Sequence, residues 1–343
     1  MLKPLALVIA LCVLATPLGF GAASSAPGSV NIYSARHYDS DEELFERFTE
    51  ETGIRVNVIE GKSDELLVRI RQEGELSPAD VFITVDAGRL YRGEEMGLFS
   101  KVESETLNDR VPETLRHPDG RWFGLTKRAR VIAVSRERVD DSVTMLDYAD
   151  LIESEWEDRV LIRSSSNIYN QSLIASMIET EGESATEEWC RGIVANLART
   201  PQGGDRDQIR AIAAGEGDVA VVNHYYFAQM LAGSQADQEA ASKVRIIFPD
   251  QDERGTHVNI SGAAVLNNAP NRENAIRLLE FLVDDYAQET LIRDTQEYPV
   301  VEGVEPSSIV QSLGEFTSDS VNAATLGANN AAAVRGMDRA GWR

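Results

Sequence analysis

The chain has 343 residues, 43% hydrophobic and 26% charged, a length that suits two lobes and a balance that excludes disorder and fibrous repetition. With 33 basic against 56 acidic residues the formal net charge is −23, which repels nucleic acid and anionic lipid and excludes both as partners. The basic set holds five lysines, Lys3, Lys62, Lys101, Lys127 and Lys243, a balance that fits either a salt-adapted surface or an ordinary acidic exported protein.

Lys3 precedes an unbroken apolar run from Leu5 to Ala15, followed by Thr16-Pro17 and the small-residue stretch Gly21 to Ala26. This is the layout of a secretory signal peptide, expected over 1–23 with cleavage after Ala23. The run is shorter than the roughly 20 residues of a membrane span, so the mature chain is expected to be exported and soluble, with no membrane insertion. Cys12 leaves with the signal, and Cys190 is then alone, so no intramolecular disulfide is expected. Cys190 sits in a helical stretch and reads as a buried small hydrophobe.

Along the mature chain, Val30 to Tyr33 reads as a strand. Ser40 to Glu43 reads as a capping box opening a helix with Leu44, Phe45 and Phe48 on one face, closed by Gly53. Arg55 to Ile59 alternates as a strand, a helix follows from Asp64, and Asp80 to Val85 is a buried strand. This βαβαβ order starts a doubly wound sheet. Val131 to Val134 and Arg159 to Ile162 read as strands, the latter feeding a helix over about Asn170 to Met177. Further strands are expected at Asp218 to Val222, Val244 to Phe248 and Gly262 to Leu266. Glu273 to Val283 is an amphipathic helix, and Ala323 to Ala333 reads as helix plus surface loop. Two α/β units without a flexible linker imply lobes joined by crossing strands, with a ligand cleft outside the strands' carboxyl ends.

Four tyrosines fall in strand-to-helix turns: Tyr38, Tyr169, Tyr225 and Tyr226. His37 and His224 stand beside them. A single loop tyrosine is ordinarily a half-buried aromatic with a wet hydroxyl, and an adjacent pair in a strand would face opposite ways. Four in equivalent turns point instead to hard oxygen donors for a hard cation. A free phenol titrates near 10, so only a strongly polarising ion makes several phenolates at neutral pH, and ferric iron is the biological ion best suited. No HExxH or CxxC motif supports zinc.

The segments Tyr33 to Tyr38, Ser77 to Val81, Thr84 to Leu90, Trp122 to Arg130, Ser165 to Ser172 and Arg254 to Gly262 closely resemble the ferric-ion-binding proteins that feed bacterial ABC iron importers, especially the cyanobacterial-type Fut branch. The resemblance runs from about Val30 to the C-terminus. It implies an α/β, two-lobed type II periplasmic binding protein, each lobe a doubly wound sheet with the ligand cleft between them. Expected boundaries are 28–126 with 252–302 for the N-lobe and 127–251 with 303–343 for the C-lobe. Tyr38, Tyr169, Tyr225 and Tyr226 match the family's iron ligands. His37 matches a histidine that ligates iron in some members and stands aside in others. Relatives often carry Arg where this chain has Gln229.

Four phenolates on a trivalent ion sum to −1, so nearby cations help. Arg128 and Arg130 are expected in the outer shell, while Arg36 and Arg163 read as surface residues. Asp86 reads as a helix cap, His117 as an exposed turn residue, His257 as a structural hydrogen-bonder and Tyr298 as a packing residue. The implied function is periplasmic capture of Fe3+, the transported ligand, by a monomer that delivers it to an ABC permease; the chain is not expected to be an enzyme. Two alternatives remain open at this level: the same fold binding an organic anion or polyamine, and a non-haem ferric oxygenase.

Overall fold

A computed structural model describes residues 28–36 and 38–343; the expected signal peptide and His37 lie outside the described residues. Nine strands are present among these: β1 Ser29–Ser34, β2 Arg55–Glu60, β3 Val81–Val85, β4 Phe123–Ser135, β5 Val160–Leu161, β6 Val219–Asn223, β7 Val244–Ile247, β8 Val258–Val265 and β9 Tyr298–Pro299. β1 lies parallel to β2 and β3, and β3 runs antiparallel to β8. β8 pairs in turn with the first half of β4, Phe123 opposite Ala263 and Ala129 opposite Val258. The second half of β4 pairs with β6 and β7, and β5 lies parallel to β6.

β4 is the strand on which the two-lobed architecture turns. Its thirteen residues are buried at all positions but Lys127, the near-continuous apolar reading of a strand covered on both faces. Leu125 is its last residue in the first core, and Ala129 is its first in the second lobe. Beyond that point the period of two sorts its side chains. Ile132 and Val134 join one layer with Val160, Leu173 and Trp189; Ala129, Val131 and Ala133 join the other with Ile209 and Phe227. The first core gathers Val30 to Leu125 and Val258 to Val304. The C-terminal stretch divides its packing, since Ala323 and Leu326 enter the first core while Ala333, Met337 and Trp342 enter the second lobe.

Local expectations meet two corrections here. The first helix is Asp39–Thr52, with Tyr38 rather than Ser40 at its N-cap. Glu43 does not fold back as a capping box requires, because its carboxylate takes Arg293 at 2.6 Å and the Tyr286 hydroxyl at 3.2 Å. The C-terminal stretch forms two helices, Ala323–Ala328 and Asn330–Ala340, with buried faces where a surface loop was expected. Gly53 closes the first helix in the left-handed region, φ 71°, where a side chain would be strained. Cys190 is buried and free, and burial pushes its thiol up to about 12.

Gly262 marks how tightly the crossing strands pack. A Cβ there would stand 2.7 Å from Leu90 Cδ1 and 2.8 Å from the Phe123 carbonyl oxygen. Backbone on one side leaves little room to relax, so Gly262→Ala should destabilise the fold by about 1–3 kcal/mol, the usual cost of overpacking. A lowered thermal unfolding midpoint in calorimetry is the expected result; an unchanged midpoint would show that β8 and β4 separate easily.

Candidate functional site

Two strand-to-helix turns of the second lobe build most of the site. The helix Ile168–Glu181 starts where the Asn167 side chain accepts the Tyr169 N–H at 3.1 Å, an N-cap that frees no turn for fraying. β6 runs directly into the helix His224–Leu231, which places Tyr225 and Tyr226 in its first turn. Their rings lie 4.2 Å apart between centroids, both on the side that faces Tyr169. The Tyr169 hydroxyl oxygen is 3.4 Å from that of Tyr225 and 3.5 Å from that of Tyr226. The pair therefore does not split between core and solvent as strand residues would.

Tyr38 approaches from the first lobe, half-buried at the N-cap after β1. Burial, then the charge of Glu297, pushes its phenol up to about 12, with Arg36 and Arg128 acting in the opposite direction. The Tyr169 phenol is near enough to act on it as well. Burial also raises the Tyr225 and Tyr226 phenols, with Tyr169 the next cause for each. Unloaded, these three phenols are neutral at physiological pH. His224 turns away from the cluster: its Nδ1 accepts the Ala129 N–H at 3.1 Å, and burial lowers its pKa to about 3.

Arginines surround the phenol rings. Arg36 lies 4.9 Å from the Tyr38 ring centroid, Arg128 and Arg163 lie 5.7 and 5.3 Å from that of Tyr169, and Arg206 lies 5.7 Å from that of Tyr226. Arg36 and Arg163 are thus not the free surface residues expected. Arg36 is 3% exposed and paired with Asp41 at 3.0 Å, because its backbone leaves β1 inside the lobe junction. Arg163 is drawn inward by Asp205 at 3.5 Å.

Arg130 braces both tyrosine-bearing turns of the second lobe. It donates to Asp205 at 2.8 Å, to Asn170 Oδ1 at 2.7 Å and to Asn223 Oδ1 at 3.2 Å. Asn170 follows Tyr169, and Asn223 ends β6 just before the tyrosine pair. Arg128 reaches Glu297 at 3.3 Å and the Ile260 carbonyl. The Nε atoms of Arg128 and Arg130 and the Asn223 amide nitrogen are buried donors with no acceptor among the described residues, so this shell is rich in positive character.

Sequence reasoning missed three participants. Glu297, next to the packing residue Tyr298, is fully buried between Arg36 and Arg128. Arg206 stands beside the departure at Gln229: its guanidinium donates to Gln229 Oε1 at 2.6 Å, and Gln229 Nε2 donates to the Thr295 carbonyl at 2.9 Å. A cation thus reaches the tyrosine pair from a neighbouring helix. Asp86 caps its helix by accepting the Gly88 N–H at 2.9 Å, but it also accepts the Ser172 hydroxyl at 2.8 Å. That bond joins the lobes one turn after Tyr169, and Asp86 holds a positive φ of 81° to make it, a conformation that costs a non-glycine residue free energy. His117 is not exposed: it pairs with Glu94 at 2.8 Å and packs edge-on against Trp122. His257 meets Asp319 at 3.4 Å, and Tyr298 packs on His224 and Phe316.

No group of three or more His, Cys, Asp or Glu side chains among the described residues could hold a metal ion. The clustered phenols supply hard oxygens of the kind that suits a hard, highly charged ion. Beside Tyr38 and Arg36, a groove of about 1080 Å³ between the first helix and β2 carries Asp41, Glu42, Glu46 and Glu50, an acidic approach that concentrates cations.

The model of the bacterial extracellular solute-binding proteins matches residues 77–312. The chain is 50% identical over 315 residues to Synechocystis iron uptake protein A1, covering 92% of this chain and 87% of that protein. The structure of Trichodesmium IdiA (FutA) in complex with iron and citrate ligands superposes with a TM-score of 0.90 at 50% identity, over 92% of this chain and 100% of that one. Apo FutA2 from Synechocystis superposes with a TM-score of 0.88 at 46% identity, over 92% and 99%.

The buried phenols have a consequence without any metal. Tyr38 titrates at about 12 when folded and near 10 when unfolded. Between these values the unfolded chain has lost its proton and the folded one has kept it, so stability falls as pH rises from about 10 to 12. Denaturant midpoints measured across that window should fall less in Tyr38→Phe than in the parent; equal falls would show that the phenol is not held neutral by the fold.

Proposed function

The chain belongs to the bacterial extracellular solute-binding proteins, and from that premise we propose that it captures ferric iron in the periplasm through Tyr38, Tyr169, Tyr225 and Tyr226 and delivers it to an ABC permease. The observation that carries this reading is the convergence of the Tyr169, Tyr225 and Tyr226 hydroxyls within 3.5 Å, with Tyr38 entering from the opposite lobe. In this reading residues 28–126 with 252–302 form one lobe and 127–251 with 303–343 the other, apart from the helix Ala323–Ala328, which carries Ala323 and Leu326 into the first core. The chain works as a monomer, exported by the signal peptide over 1–23. It binds and hands over its cargo without turnover.

Each participant has a physical role. The three second-lobe phenols form a half-site that exists before closure, because one capped helix and one strand end fix them. Tyr38 completes the set when the lobes close, which gives a permease a shape by which to tell loaded from empty protein. His37 is a fifth donor in this scheme, adjacent to Tyr38. Arg128 and Arg163 at Tyr169, Arg36 at Tyr38 and Arg206 at Tyr226 offset the charge of the phenolates, and Arg130 holds both second-lobe turns in place.

Loading requires phenols to lose protons, so binding weakens as pH falls. Ferric addition should turn the protein reddish through phenolate-to-iron charge transfer, with affinity declining from neutral pH into the acid range. A flat visible spectrum at saturating ferric citrate, or affinity independent of pH, would overturn the ligand set. The tyrosines should also differ among themselves. Tyr225→Phe with Tyr226→Phe should weaken binding by more than about 100-fold, beyond the loss typical of outer-shell changes. Tyr38→Phe should retain iron on the half-site but lose most of the compaction seen by small-angle scattering on loading. Full compaction of Tyr38→Phe would transfer the cross-lobe role to His37.

A further inference from the structure

Glu297 is fully buried at the junction of the lobes, between the helix Asp285–Thr295 and β9. One carboxylate oxygen lies 3.3 Å from Arg128 Nη1 and the other 3.9 Å from Arg36 Nη1. The Thr126 hydroxyl on β4 and the Ser261 hydroxyl on β8 both donate to the second oxygen. Glu297 therefore holds the two arginines that lie on Tyr38 and Tyr169, tyrosines of opposite lobes, and ties them to both long crossing strands.

The charges around the tyrosines sharpen the question of what this acid does. Arg36, Arg128, Arg130, Arg163 and Arg206 face Asp41, Glu297, Asp205 and Asp86, so the shell carries one positive charge while the phenols are protonated. Four phenolates around a trivalent ion add one negative charge. Arg36 keeps Asp41 without Glu297, and Arg128 keeps the Ile260 carbonyl. A buried carboxylate is expensive to desolvate, and this one has the same sign as the loaded cluster.

We propose that Glu297 limits how tightly the iron is held, by opposing the negative charge of the loaded cluster and by drawing part of the positive charge of Arg36 and Arg128 away from Tyr38 and Tyr169. Its role is release: a protein that delivers its cargo needs a finite hold, and a fixed buried anion supplies the opposition without occupying a ligand position. This inference rests on the ferric reading above.

The test is Glu297→Gln in the exported protein at one fixed pH, with Glu297→Asp beside it. Gln keeps the size and an acceptor oxygen for Thr126 and Ser261 but removes the charge. Iron loss to excess EDTA should slow by on the order of tenfold, the scale of one unit charge across a partly buried site. The charge-transfer band should move to shorter wavelength, because a more positive surrounding stabilises the phenolate donor electrons. Glu297→Asp should behave as the parent. A residue that only braced the fold would give the opposite result, faster iron loss, and no band shift. Iron loss from Glu297→Gln as fast as from the parent with an unmoved band, an equal band shift in Glu297→Asp, or loss of cooperative melting in apo Glu297→Gln while Glu297→Asp stays folded, would each overturn the proposal. A parent protein that shows no band with ferric citrate would overturn the ferric reading instead, so the two failures are distinguishable.

Discussion

The site depends on the cost of placing charge inside a protein. A phenol hydroxyl is easy to bury, and a phenolate is not, so a cluster of tyrosines is electrically silent until a strong cation arrives. Around this cluster the chain has buried arginines, each held by a carboxylate or a carbonyl: Arg36 by Asp41, Arg128 by Glu297 and Ile260, Arg130 by Asp205. Isolated buried ion pairs seldom add stability over well-packed apolar residues. In the ferric reading their presence is explained by the loaded state of the site, not by the state in which it folds.

The fold supplies the geometry for this. β4 and β8 carry the chain between lobes as adjacent antiparallel strands, so the ligand turns are hung from a rigid floor and not from flexible linkers. Arg128 and Arg130 lie two apart on β4 and therefore project to the same face, toward the cleft. Contacts that span the lobes, Asp86 to Ser172 and Gln229 to Thr295, lie beside this floor.

Much of this was legible in the sequence. The alternation at Arg55 to Ile59, the apolar run at Asp80 to Val85 and the turns carrying the tyrosines gave the strand-to-helix order that places all four on the cleft side. Strand β5 came out shorter than its apolar stretch, and the helix after it started earlier, at Ile168, where Asn167 supplies the cap. What stayed hidden was long-range. Nothing local to Glu297 indicates that Arg36 and Arg128, far apart in the chain, meet at its carboxylate. Arg206 is likewise invisible until the helix Asp205–Ala214 is packed beside the tyrosine pair. Arg36 reads as exposed because arginine near a turn ordinarily is; only the closing of β1 against the lobe junction buries it.

The central claim is that a bound ferric ion is held by phenolate oxygens from both lobes. Resonance Raman spectroscopy of the iron-loaded protein, excited within its visible band, tests this most directly. The account predicts enhanced tyrosinate ring modes, with a changed mode pattern when Tyr38 is replaced by Phe. Iron bound in equal amount with no tyrosinate modes would contradict it.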